Sequence, residues 1–551
     1  MGRGVGRVTF TEEEYARFHA RLTHCLSMLG KVVTQSGFGQ VPSTLGAELE
    51  VSLVGPDGRP VPVNAAVREG LGDDRLTLEV ARFNLEANLE PVPVRGRPFT
   101  ELAGQASRAL TQITAWSLPH HGARAVPIGT LPTLTPADLT ARALTDLPRY
   151  HALERAWARR RPTPFPLRAG EGEQGLFRAE SVAVQGAACS WQVHLTVAPD
   201  LFCPTYNAAQ LATGPALAAA GNSPFPLGRY GWQEARIPLY EQGFGEGGAP
   251  GRGTSRPRVG FGHAWLHGGP LAAFEEAVHR YDILLPATSP AEEDDGPLDG
   301  WPALEELRLH LSTVWPWNRP VYDPLGHVRI EFRALPSGPT PLDMAANTAF
   351  LVGLTLSLAA EGRDVARELP FAHARENFYR AARDGLRATL WWPSPGSAPR
   401  EYEAGALVEE LLPRAREGLV TAGVDAAEAD TMLDLVDRRV ASGRTGAWWQ
   451  QRTLEVLRRR GRRAQHESRE TTGPTATPPE RGMIPPGRES TTGVRPDGQA
   501  ERTGTTDARA VGTGRPDSGL RELTVRYARL AEGADPVHTW NLPTLPRRSR
   551  R

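Results

Sequence analysis

Apolar and polar residues alternate along four short segments, and side chains two apart in a strand share a face. In 47–53, Ala47, Leu49, Val51 and Leu53 make an apolar face and leave Glu48 and Glu50 together on the other. In 82–89, Phe83, Leu85, Ala87 and Leu89 oppose Arg82, Asn84, Glu86 and Asn88, with Glu79 just upstream. In 191–197, Trp191, Val193, Leu195 and Val197 alternate with Gln192, His194 and Thr196. In 328–334, Val328, Ile330, Phe332 and Ala334 alternate with Arg329, Glu331 and Arg333.

Helical periodicity accounts for much of the rest. Thr11 and Glu14 form a capping-box pattern, followed by Tyr15, Phe18, Leu22, Leu26 and Leu29 at helical spacing. The stretch TLGAELEVSLVGPDGRPVPV predicts a strand entering a hairpin at Pro56-Asp57-Gly58. A helix is predicted over 100–118, strand pattern over 181–198, an Ala-rich helix over 207–222 and a strand over 327–335. Helices follow near 343–361, 373–391, 401–420, 425–441 and 446–460. The first of these holds the run AANTAFLVGLTLSLAA, which starts near Asp343 and carries Asn347, so it reads as a buried helix rather than a membrane span.

Two loops, GFGEGGAPGRGTSRPR and AEEDDGPLDG, are either solvated connections or a lid. Residues 461–518 turn to Gly, Pro, Thr, Arg and Glu, the composition of a disordered linker. Beyond it Leu520, Leu523, Tyr527 and Leu530 mark a short helix, and PVHTWNLP is an apolar hook able to dock on the main body. The organisation is therefore 1–460 as the main domain, 461–518 as linker and 519–551 as helix and hook, with no internal repeat.

Composition narrows the chemistry. The 551 residues carry 63 Lys and Arg against 63 Asp and Glu, so no global charge draws the chain to nucleic acid or to a membrane surface. Lys31 is the only lysine, which excludes a Walker-type phosphate loop and leaves arginine to bind anions. Neither GxxxxGK[ST] nor a strand-linked GxGxxG is present. Three cysteines without CxxC or zinc spacing support neither a disulfide framework nor a structural zinc. The opening MGRGVGRVTFTEEEY has no apolar core region, so a cytoplasmic protein is expected.

The polar strand faces have two readings. One is an amphipathic antiparallel sheet with helices beneath and water above. The other is a site: like charges on one face repel unless cations neutralise them, and carboxylate oxygens suit Mg²⁺ or Mn²⁺. Such cations bridge nucleotide phosphates, and arginine neutralises a phosphoryl group in transfer.

At LGAELEVSL, FNLEANLEP, CSWQVHL, GNSPF and HVRIEFRALP, in that order and spacing, the chain resembles the glutamate–cysteine ligase family, particularly its bacterial carboxylate–amine ligase branch. The resemblance spans about residues 40–460. It implies an α+β fold, in which a curved antiparallel sheet like the catalytic sheet of glutamine synthetase packs with helices, plus a C-terminal helical region. It implies ATP and Mg²⁺ (or Mn²⁺) as cofactors, and phosphorylation of the γ-carboxylate of glutamate followed by attack of an amine such as that of cysteine. Glu48, Glu50, Glu79, Glu86, His194 and Glu331 correspond to the metal site. Arg333, Arg236 and Glu331 correspond to the catalytic set, and Arg333, Arg319 and Asn222 to the nucleotide site. Arg236 is the counterpart of an arginine that binds the substrate carboxylate or the transferred phosphate. His120, His121, His263 and His267 read as loop or core histidines, and Trp448 and Trp449 as packing residues. No residue stands out as general base, and a homo-oligomer is left open. Two alternatives remain: a ligase for another acid and amine, and a non-catalytic nucleotide- or amino-acid-binding homologue.

Overall fold

The four alternating segments pair into one antiparallel sheet with their polar residues on the same side. In this computed structural model the described residues are 5–161, 163–168, 176–245, 258–288, 300–362, 364–394, 396–471 and 517–544. The sheet has eight strands: β1 (Thr44–Val54), β2 (Leu76–Leu78), β3 (Asn84–Asn88), β4 (Val92–Pro93), β5 (Arg124–Val126), β6 (Trp191–Val197), β7 (Asn318–Asp323) and β8 (His327–Phe332). Its order is β7-β8-β6-β1-β3-β2, with β4 and β5 paired to the two ends of β1, and it curls into a half-barrel. The α+β architecture is the one expected.

Register decides which polar groups meet. Glu50 lies opposite Glu86, and Glu86 opposite Thr77. Glu48 lies opposite Gln192, His194 opposite Glu331, and Glu331 opposite Arg319. A slip of one residue in any pair would turn these groups into the core. The apolar faces prevent that: Leu49, Val51, Leu53, Val193, Leu195, Ile330 and Phe332 are all buried in one cluster.

Beneath the apolar face lie α2 (Pro98–His121), α4 (Phe202–Ala220) and α5 (Pro341–Ala360), with α6 (Ala404–Thr421) and α7 (Ala426–Ser442) around α5. The helices α1 (Glu12–Val32) and α3 (Pro148–Arg160) flank the assembly, and α1 carries the expected capping box between Thr11 and Glu14. Among the described residues α5 is the one helix long and apolar enough to cross a membrane, and it is mostly buried. Trp191 donates from Nε1 to Thr348 Oγ1 at 2.8 Å, tying the sheet to α5. Where α5 crosses α6, Gly353 and Gly418 meet so closely that a Cβ on either would strike backbone of the other helix. The cysteines Cys25, Cys189 and Cys203 are all free.

Local competition explains the departures from pattern. The strand expected from 181 starts only at Trp191, because Glu154 accepts from Val182 N at 2.7 Å and Ser181 Oγ accepts from Ala183 N at 3.0 Å, coiling 182–187 into a 3₁₀ turn. The helix expected to reach 391 stops at Asp384, where Gly385 takes φ +60°, and Thr389–Ser394 pairs with Ser397–Glu403 as a hairpin. The helix α8 (Gly446–Thr471) runs into the segment read as linker. Residues 472–516, and with them the rest of that reading, lie outside the described residues, as does most of each of the two loops considered as lids.

The C-terminal α9 (Ser518–Ala531) packs on α8. Tyr527 is fully buried, donates its hydroxyl to Pro127 O at 2.9 Å and accepts from Asn222 Nδ2 at 2.8 Å. Trp540 packs edge-on against Trp449 and Tyr527, with ring centres 5.2 and 5.4 Å apart. Val537 N donates to Asp343 Oδ2 at 3.0 Å, at the start of α5. Tyr527→Phe should therefore lower unfolding stability in urea by about 1–3 kcal/mol, and Trp540→Ala by about 3–5 kcal/mol. Unchanged midpoints for both would show that the tail does not dock.

Candidate active site

Over the polar face of the sheet lies a cavity of about 290 Å³. Strands β1 and β3 bring Glu48, Glu50 and Glu86 to its floor, Glu79 arrives from the turn after β2, and Arg319 and Arg333 close the opposite side. A wider groove of about 610 Å³, lined by His194, Asp323, His327 and Arg329, lies on the other side of Glu48, which borders both spaces.

The carboxylates sort into two groups. Glu50, Glu79 and Glu86 each offer an oxygen within 4.8 Å of the others. Glu50 accepts from Ser190 N at 2.6 Å and from Gln192 Nε2 at 2.7 Å, and Glu86 accepts from Asn88 Nδ2 at 3.0 Å. Glu79 accepts from Val80 N at 3.2 Å. Burial, and then the charge of Glu50, pushes Glu79 up to about 8. Burial followed by Glu48 and Glu79 drives Glu86 well above the ordinary range, and burial raises Glu50 against the pull of Arg333. Three close-set carboxylates, Glu86 buried and Glu50 and Glu79 half-buried, make an oxygen donor set suited to a hard divalent cation.

The second group is already neutralised. Glu331, fully buried, accepts from Arg319 Nε at 2.8 Å and from Arg333 Nη1. Burial opposes its ionisation, yet the two guanidinium groups hold its pKa far below the usual value. Arg333 also donates to Gln192 Oε1, so Gln192 links Arg333 to Glu50. Arg329 Nε donates to His194 Nδ1 at 3.1 Å, which leaves the Nε2–H of His194 to meet Glu48 Oε1 at 3.0 Å. Burial would raise Glu48, but His194 outweighs it and draws Glu48 down to about 2.

Six residues expected at the metal are thus close neighbours, but only Glu50, Glu79 and Glu86 form the compact trio. In this arrangement His194 orients Glu48 instead of presenting a free nitrogen, and Glu331 anchors arginines.

Two expected site residues fall elsewhere. Asn222 is fully buried outside the cavity, its amide spent on Ser337 O at 2.7 Å, Tyr527 and Gln450. Arg236 is also enclosed. It pairs with Glu234 at 3.3 Å, donates to Ala334 O and lies over the Trp317 ring, so it braces the exit of β8 that carries Arg333. The partners that claim both side chains are remote in sequence or turned inward, which motif spacing does not reveal. Conversely, Arg149, Tyr150, Tyr240 and Ser312 line the cavity without any strand alternation to mark them. The four histidines read as loop or core residues lie outside this cavity.

The chain matches the family described as glutamate-cysteine ligase family 2 over residues 44–473. It belongs to that family. No curated protein matches it. Among solved structures it is similar to glutamate–cysteine ligase from Francisella tularensis in complex with AMP, at 12% identity and TM-score 0.48, covering 76% of this chain and 86% of that one. It is also similar to a bifunctional glutathione synthetase from Pasteurella multocida, at 12% identity and TM-score 0.43 over 78% of this chain and 50% of that one. The ligase PafA, solved in complex with the prokaryotic ubiquitin-like protein Pup, follows at 12% identity and TM-score 0.34, over 76% and 69% of the two chains. At these scores the chemistry rests on the family and on the side chains.

The trio makes a pH prediction. With pKa values raised in the fold, Glu50, Glu79 and Glu86 bind more protons folded than unfolded, so their contribution to stability falls as pH rises from the ordinary carboxylate range to about 8. A divalent cation bound there would replace those protons. Thermal denaturation should show a larger rise in Tm on adding Mg²⁺ or Mn²⁺ at pH 8 than at pH 6. Equal shifts at both pH values, or none, would contradict the assignment.

Proposed function

We propose that this family member is an ATP- and Mg²⁺-dependent carboxylate–amine ligase that joins the γ-carboxylate of glutamate to the amine of cysteine. The observation that carries the reading is the facing of Glu50, Glu79 and Glu86 against Arg319 and Arg333 across one cavity. Glu50, Glu79 and Glu86 would hold Mg²⁺ or Mn²⁺, which when bound neutralises nucleotide phosphates.

The protein's own groups fit the remaining requirements. In the proposed reaction an oxygen of the glutamate γ-carboxylate attacks the terminal phosphorus of ATP, ADP leaves, and the amine then displaces phosphate from the acyl phosphate. Negative charge on the phosphoryl group in transfer calls for fixed cations, and Arg333 and Arg319 are held in place by Glu331 before any ligand arrives. The groove with His194 and Arg329 offers the larger space for the nucleotide, and the carboxylate cavity the smaller space for the acid. The aromatic wall of Tyr150, Tyr240, Phe244 and Trp315 restricts water around a reactive acyl phosphate. The α-ammonium of a free amino acid titrates well above neutral pH, so only a small fraction of the attacking amine is free there and it must lose a proton to react.

The test is phosphate release by the full chain with Mg-ATP and glutamate, with and without cysteine, with mass spectrometry of the product. Release that needs both amino acids and a γ-glutamylcysteine mass supports the reading; turnover with a different acid or amine from a panel replaces the substrate pair. Glu86→Gln should lower kcat at least about 100-fold. The same change should leave Tm without metal nearly unchanged, because the buried carboxyl already favours its neutral form. Near-normal turnover in that variant would remove Glu86 from the site.

A further inference from the structure

A second cavity, of about 140 Å³, lies along β7, the outermost strand of the sheet, and meets it at Arg319 and Pro320. Proline fits there because an edge strand needs no donor on its open side. Helix α4, the helices Pro270–Arg280 and Phe371–Asp384 and the strand Val259–Gly260 supply the other walls. The segment 311–316 divides this space from the carboxylate cavity. Leu311, Val314 and Pro316 border the one, Ser312 and Trp315 border the other, and Arg319 borders both.

The interior offers apolar and aromatic surface. Tyr206, Phe261, Tyr281 and Tyr379 stand around it with Leu266 and Val314. Three of its polar side chains are already committed elsewhere. The hydroxyl of Tyr206 donates to Asn318 O at 2.8 Å and that of Tyr379 to Glu241 Oε1 at 2.9 Å, while Gln210 donates to Phe261 O at 2.8 Å and accepts from Asn318 Nδ2 at 2.6 Å. Gly260 keeps the space open, since a Cβ there would meet no atom within 4 Å. An apolar cavity of about 150 Å³ holds benzene, so the size suits one six-membered ring and is too small for a nucleotide.

Charge is confined to the rim. Glu276 meets Arg280 at 3.3 Å, and Arg319 is held by Glu331. Arg375 is exposed and makes no ion pair among the described residues. We propose that this cavity is a binding site, separate from the catalytic one, for a small monocarboxylate that carries a single aromatic ring. The ring fills the aromatic interior and the carboxylate meets Arg375 at the rim. A ring without the carboxylate leaves that guanidinium unpaired, a carboxylate without the ring leaves the interior empty, and a second negative charge is disfavoured by Glu276. Through Arg319 the occupant lies against a guanidinium that also borders the catalytic cavity.

The full chain is titrated with phenylacetate, benzyl alcohol, which keeps the ring without the charge, and acetate, which keeps the charge without the ring, and binding is read by saturation-transfer NMR and calorimetry. Phenylacetate should bind wild type at least about tenfold more tightly than acetate and about three- to tenfold more tightly than benzyl alcohol. Arg375→Gln, a change at an exposed position that the fold tolerates, should abolish the advantage over benzyl alcohol and leave benzyl alcohol itself unchanged. Gly260→Leu, which places a side chain in the cavity, should weaken phenylacetate and benzyl alcohol alike by at least about tenfold. Saturating Mg²⁺ with a non-hydrolysable ATP analogue, or saturating glutamate, should leave phenylacetate bound.

Equal binding of phenylacetate and acetate, unchanged selectivity in Arg375→Gln, wild-type affinity in a Gly260→Leu variant that melts cooperatively, or no binding of phenylacetate to wild type each overturn the proposal. Complete displacement of phenylacetate by the ATP analogue or by glutamate would make the cavity part of the substrate site and overturn it as well. None of these outcomes bears on the ligase reading, because no probe is a substrate of that reaction and no turnover is measured.

Discussion

Bringing Glu50, Glu79 and Glu86 within 4.8 Å of one another in a partly enclosed cavity is the constraint around which the rest of this protein is organised. Like charges at that distance repel, and burial removes the water that would screen them. The fold imposes the arrangement through antiparallel register, because Glu50 and Glu86 are directly opposed across β1 and β3. That opposition is locked by the buried apolar face of the same strands, which a register slip would turn to the polar side. The raised pKa values express the residual cost: each carboxyl gives up its proton less readily than it would in water.

The same sheet carries the opposite charge a short way off, so the site is polarised. Glu331 gathers Arg319 and Arg333, and Gln192 bridges Arg333 to Glu50. Beneath these groups runs a chain of hydrogen bonds from the C-terminal segment to β1. Tyr527 accepts from Asn222, Asn222 donates to Ser337 O, and Ser337 Oγ donates to Glu50 O at 2.6 Å. Docking of the tail thereby supports the backbone of β1 at the residue that matters for charge. Arg236 acts in the same sense on the exit of β8.

Much of the sheet was legible in the sequence because alternation is local. Glu48, Glu50, Glu86, His194, Glu331 and Arg333 could be assigned to polar faces from residues within one strand, and the family resemblance added Glu79. What local pattern does not carry is register, and register separates Glu50, Glu79 and Glu86 from the paired Glu48 and Glu331. Asn222 and Arg236 lie outside the cavity for a related reason. Their claimants, Tyr527 and Gln450 in one case and Glu234 and the β8 exit in the other, are identified only when distant segments are packed together. Arg149 went unseen because it starts a helix and its fixing partner, Ser312, lies 163 residues away. Boundaries failed where side chains competed with the backbone, as at Ser181 and Glu154.

The account stands on a divalent cation at the three carboxylates, and direct Mn²⁺ binding followed by electron paramagnetic resonance tests it without reference to any substrate. Wild type should take up Mn²⁺ with saturation, with Mg²⁺ as competitor, and a Glu50→Gln, Glu79→Gln, Glu86→Gln triple variant that melts cooperatively should lose that uptake. Mn²⁺ binding that is absent from the wild type, or unchanged in the folded triple variant, would contradict the account.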